Sequence, residues 1–157
     1  DYNLIFAPHI LLFKRPWSRG TGLPKKYRDT ENVRIDLSSR YSSDMTYLRS
    51  ADIYLGDVSS QVYEFVEQPR PCVFLNGHGF DPADPSYRHW SFGPVINDVA
   101  LLADALTQAR NNQASYSLPQ RERFDYTFET GGTAASIRGA DVIADFLTSG
   151  RIDPKWQ

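Results

Sequence analysis

The chain has a single cysteine, Cys72, a single methionine, Met45, and three histidines, His9, His78 and His89. A lone cysteine excludes an internal disulfide framework, and Cys72 stands in an apolar run where a buried thiol is the ordinary state. That usage fits a reducing compartment and a cytoplasmic protein. No apolar run approaches the ~20 residues needed to span a bilayer, and no secretory signal pattern is visible. Charge of one sign is not in large excess. With 17 basic against 19 acidic side chains the net charge is -2, which argues against a nucleic-acid partner. One absence is local: from Tyr2 to Arg28 there is no acid, whereas Lys14, Arg15, Arg19, Lys25, Lys26 and Arg28 are all basic. The stretch 14–28 is either a solvated basic loop or a surface for an anionic acceptor or membrane leaflet. In the second case the protein would sit peripherally on the inner face of the cell membrane.

What is present suits one globular domain over residues 1–157, since 41% hydrophobic residues in a chain of this length can bury a core. The start at Asp1 and the scarcity of methionine suggest the C-terminal part of a longer protein. Apolar runs and turn signals predict strands at 3–9, 32–37, 52–57, 71–76 and 93–97. Helical spacing predicts helices at 43–51, with Ser43 or Asp44 as N-cap, at 59–68, at 98–111 and at about 136–148. In the second of these Val62, Phe65 and Val66 form one face. Residues 14–32 and 77–92 read as loops, and 112–135 as polar and irregular with a helical turn near Pro119. Strands alternating with helices imply βαβ units, hence an α/β, Rossmann-like parallel sheet with helices on both faces. Ligands of such sheets bind beyond the carboxyl ends of the strands, where His9, Asp57, Asn76 and the 77–92 loop fall.

The segment Gly56-Asp57-Val58-Ser59-Ser60 lies where a strand turns into a helix. A helix N-terminus offers unpaired N–H groups and partial positive charge, which suit a phosphate, and serine hydroxyls add donors without bulk. Glu64 follows one turn after Ser60, placed to reach the sugar hydroxyls of a nucleotide. The competing reading makes Ser59 an N-cap and Glu64 a first-turn acid favoured by the dipole. His9, after Pro8 at a strand end, is a candidate functional residue by position. His78 and His89 are expected at the surface, within reach of a base or an acceptor, and no spacing of His, Cys and Asp makes a metal site.

The run "SSDMTYLRSADIYLGDVSSQVYEFVEQPRPCVFLN" resembles the carboxy-terminal half of the CDP-glycerol glycerophosphotransferases, the teichoic-acid polymerases and primases. "FAPHI", "GPVINDVALLADAL" and "SIRGADVIADFL" extend the resemblance in order over nearly the whole chain. It implies the donor-binding half of a two-domain GT-B transferase, whose missing N-terminal domain would supply the general base. The chain alone would then bind donor without turning it over. It further implies that Ser59 and Ser60 hold the donor phosphates, that Glu64 contacts the ribose and that His9 is the active-site histidine. Arg138 matches the arginine of the terminal helix. No cofactor is implied, since the nucleotide-activated donor, CDP- or UDP-linked, is a substrate; the acceptor would be an anionic glycan or polyol phosphate. Ile10, Val58 and Glu64 depart from the family's usual proline, aromatic and aspartate. UDP-sugar 2-epimerases and other GT-B glycosyltransferases have a similar half-domain. A non-catalytic nucleotide-binding regulatory module is the alternative of another class.

Overall fold

The structure is a computed structural model that describes residues 2–9, 12, 23, 25–27, 30–37 and 39–154. The chain divides into two compact units, residues 1–54 and 55–157.

In the first unit β1 (Leu4–Phe6) and β2 (Val33–Ile35) pair in parallel, with Phe6 opposite Ile35. Asp36 follows at the carboxyl end of β2 and is buried. Its carboxylate accepts hydrogen bonds from the Ser39 amide at 2.8 Å, the Ser39 hydroxyl and the Tyr47 hydroxyl at 2.5 Å. Arg34 Nε donates to the same Tyr47 oxygen at 3.2 Å. A buried carboxylate is tolerated when such donors replace water, and here they fasten α1 (Thr46–Ser50) to the strand pair. That helix is shorter than the predicted 43–51. Met45, with φ of 65°, and not Ser43 or Asp44 takes the N-cap position; Asp44, one residue before it, accepts from the Thr46 hydroxyl at 2.6 Å and the Thr46 amide at 3.1 Å. Those bonds hold the Asp44 carboxyl below the usual carboxylate range.

In the second unit β3 (Tyr54–Gly56), β4 (Cys72–Leu75) and β5 (Val95–Ile96) form a sheet in that order, with β4 and β5 parallel. Four helices accompany them: α2 (Gln61–Phe65), α3 (Leu102–Asn111), α4 (Gln113–Thr127) and α5 (Ala135–Ser149). The chain is therefore a mixed α/β protein with small parallel sheets and several helices. Cys72, Val73 and Phe74 are all inaccessible, as a strand covered on both faces requires. Val62, Phe65 and Val66 of the predicted helical face are equally inaccessible. Ala105 and Ala109 of α3 pack on Val73 and Ile96, with Leu75, Leu102 and Leu106 around them. Burial lifts the Cys72 thiol to about 12, which leaves it a small apolar side chain.

Three expectations need correction. The helix predicted at 59–68 has only five residues, and Arg70 closes it: Nη2 donates to the Phe65 carbonyl at 2.6 Å while the guanidinium lies 3.9 Å from the Phe65 ring centre. The 77–92 loop contains a kinked 3₁₀ segment, Pro85–Phe92, opened by Asp84, whose carboxylate accepts from the Ser86 amide with proline in the first turn. The stretch 112–135 carries α4, with Pro119 inside it. What holds α4 down is Gln120, wholly buried, whose Nε2 donates to the Phe92 carbonyl at 2.8 Å and the Arg70 carbonyl at 2.9 Å. Beside that clamp Gly93 lies so close to β4 that an added Cβ would stand 1.9 Å from the Cys72 carbonyl oxygen.

Candidate functional site

The turn after β3 holds four of the predicted residues on one continuous segment. Ser59 Oγ accepts from the Gln61 amide at 3.3 Å, so this serine caps. Ser60 occupies the N-cap position, is exposed, and makes no capping bond with its side chain. The carbonyls of Ser59 and Ser60 already receive the Val62 and Tyr63 amides, at 3.4 and 3.1 Å. The amides of Ser59 and Ser60 donate to no acceptor among the described residues. Glu64 sits half-buried one turn on, and Asp57 is exposed. A five-residue helix sums few peptide dipoles, so its N-terminal field is weaker than the predicted ten-residue helix would give. The donors themselves, hydroxyl and amide, are what this turn presents.

Near the turn lies a residue the sequence placed elsewhere. His89 is not on the surface: it is 4% exposed, with its ring edge-on to Phe74 at 5.5 Å and to Tyr63 at 6.4 Å. Burial pushes its pKa down, and the nearby backbone and charge of Asp57 act the other way. Its Nε2, like Nε1 of the adjacent Trp90, has no partner among the described residues. The readable signal was the Asp84-Pro85 start. In a 3₁₀ segment residues three apart share a face, and His89 and Phe92 are such a pair, both turned inward.

A second feature starts at the kink of the segment, where the dihedrals of Tyr87 are not helical. Tyr87 and Trp90 stack with ring centres 4.6 Å apart and planes 16° from parallel. Phe80 stacks on Tyr87 at 5.0 Å and 14°, and His78 leans on Phe80 at 5.3 Å. Asn76, buried at the carboxyl end of β4, fixes Phe80 through both ends of its amide. Its Nδ2 donates to the Phe80 carbonyl at 2.8 Å, and its Oδ1 accepts from the Phe80 amide at 2.9 Å. The Asn76 backbone amide donates to the Ile96 carbonyl at 2.7 Å, so the clamp is itself anchored in the sheet.

The remaining predicted residues lie apart from this turn in the sequence. Arg138, on α5, donates through Nη1 to the carbonyls of Gly131 and Thr133 and through Nη2 to that of Glu129. Its guanidinium organises the segment before its own helix. His9 belongs to the first unit, exposed, three residues past β1, and its carbonyl accepts from the Leu12 amide at 2.8 Å. Most of the basic stretch 14–28, including Lys14, Arg15, Arg19 and Arg28, lies outside the described residues, as does Ile10. Among the described residues no group of three His, Cys, Asp or Glu side chains could hold a metal ion. No helix there is long and apolar enough to cross a membrane. An open depression of about 310 Å³, lined by Ser91, Pro119, Glu122, Arg123 and Tyr126, involves none of the candidate residues.

Comparison with protein-family models, curated proteins and solved structures finds no match to this chain. The site is therefore read from its own chemistry. The exposed Ser60 hydroxyl and the Ser59 and Ser60 amides suit an anion, and a carboxylate one turn on suits neutral hydroxyls.

Proposed function

We propose that the chain is the nucleotide-donor-binding domain of a GT-B-type transferase, Rossmann-like in plan. It would move glycerol phosphate, or a related alditol phosphate or sugar, from a CDP- or UDP-linked donor to a cell-surface glycan or polyol-phosphate acceptor. One observation carries the reading: the turn after β3 presents an uncapped Ser60 hydroxyl and two backbone amides, with Glu64 one turn on. In this reading the donors meet the phosphates of the nucleotide and stabilise the charge that develops on it as it departs. Ser60 Oγ and the two amides donate to phosphate oxygens, and the Glu64 carboxylate accepts from a ribose hydroxyl. His89, buried beside Asp57, is given no contact with substrate in this reading. His9 is assigned the role of acid or electrostatic stabiliser that the resemblance implies.

The test is a calorimetric titration with CDP and UDP of the chain and of its Ser59→Ala, Ser60→Ala double variant. Loss of the hydroxyls should weaken binding by ~1 to 3 kcal/mol, with far-ultraviolet circular dichroism unchanged. Equal affinity in the two proteins would leave the turn as a helix cap and remove the reading.

A further inference from the structure

We propose that the outer end of the aromatic stack, Phe80 with His78 beside it, is the platform on which the base of a nucleoside diphosphate lies. The inference rests on the phosphate reading of the Ser59–Ser60 turn and supplies the other half of the ligand.

Four features of the second unit point to it. First, the stack is graded in exposure: Trp90 is 5% exposed, Tyr87 half-buried and Phe80 41% exposed. Second, the backbone that carries Phe80 is fixed by a buried polar side chain. Asn76 uses both its amide donor and its amide acceptor on the Phe80 backbone. The ring is thus presented by a turn whose conformation does not depend on the ring itself. Gly79, with φ of 67°, sits inside that turn, where a side chain would be strained. Third, the rings lie parallel. Phe80 and Tyr87 are within 14° of parallel, so a further flat ring continues the stack in the geometry it already has. His78, exposed, packs on Phe80 with ring centres 5.3 Å apart and planes at 42°, and would move aside to flank such a ring. Fourth, stack and turn belong to one unit and share a neighbour. His89 lies with its ring centre 6.0 Å from that of Trp90, the inner end of the stack, and feels the backbone of Asp57, two residues before Ser59.

The ligand class follows from the chemistry. Every base has a π-face, and stacking on an aromatic side chain carries no demand for one base over another. The platform therefore contributes affinity for a nucleoside and not a choice among bases.

Calorimetry on the whole chain separates the two halves of the ligand. The probes are pyrophosphate, cytidine, uridine, CDP and UDP, and the variants are Phe80→Ala, Phe80→Leu and the Ser59→Ala, Ser60→Ala pair. Both Phe80 variants should lower affinity for CDP and UDP about tenfold or more, and leave pyrophosphate affinity as it was. Because Asn76 bonds only the backbone of residue 80, both variants should fold; Phe80→Leu keeps the apolar contact while removing the π-face. Two results overturn the platform: nucleotide affinity unaltered by Phe80→Leu and Phe80→Ala, or no binding of any nucleoside or nucleotide to the unaltered chain. Equal losses for pyrophosphate and nucleotide would also overturn it, since the substitution would then have acted on the turn. Should the chain bind cytidine or uridine through Phe80 but not pyrophosphate, the platform stands and the phosphate turn falls.

Discussion

His89 ties the stability of the second unit to the proton concentration. Its folded-state pKa is depressed below that of an exposed imidazole, first by burial. Below an unfolded-chain value near 6.5, unfolded molecules therefore take up a proton that folded ones resist. Stability is full above that value and declines as pH falls from it toward the lower folded value. Substitution with glutamine supplies an amide that can donate to the Asp57 backbone and cannot titrate. Between about pH 7.5 and about pH 5.5 the melting temperature of the natural chain should fall more than that of His89→Gln. Equal slopes in the two proteins would mean that the fold accepts the charge. The sequence concealed this residue because histidine in a Gly- and Pro-rich segment reads as surface. Asp57, Ser59, Ser60 and Glu64 were legible together because they share one strand-to-helix turn, and the sequence alone keeps them adjacent.

Among the elements, α4 was the hardest to read, and its chemistry explains why. A helix is recognised by apolar residues at a period near 3.6, but the buried position at the centre of α4 is a glutamine. Around it, one turn away on either side, stand half-buried Tyr116 and Phe124. Pro119, which forfeits an N–H bond inside the helix, strengthened the wrong impression. By contrast α2 showed its face openly in Val62, Phe65 and Val66, because those positions are apolar. The spacing of Ile137, Ile143 and Leu147 likewise gave α5, yet no residue of that helix is buried. Periodicity announces an amphipathic helix without saying what covers it. The clamp on α4 is testable. Gln120→Leu keeps the bulk and removes the donor to the Phe92 and Arg70 carbonyls. Unfolding by urea should report a loss of ~1 to 3 kcal/mol. A variant as stable as the parent would show that packing, and not the amide, fixes the helix.

At the scale of the whole chain the two units differ in how they are held. Every fully buried apolar side chain among the described residues lies between Val62 and Ala109, in the second unit. The first unit is organised around a buried polar knot, Asp36 with Ser39 and Tyr47. Local stability follows buried apolar contact, so amide exchange should be slowest in β4 and in α3 near Ala105 and Ala109. It should be much faster in β1 and β2. Protection in β1 and β2 equal to that of β4 would mean that the polar knot holds as firmly as the core. The Tyr87–Trp90 stack has an optical consequence for such measurements. Two aromatic chromophores locked 4.6 Å apart in a chiral frame couple their transitions, so the second unit carries an intrinsic near-ultraviolet dichroic signature. That band should vanish when side-chain packing loosens even if the helices persist. The fold thus contains its own spectroscopic gauge, placed one ring away from the residue proposed to meet the ligand.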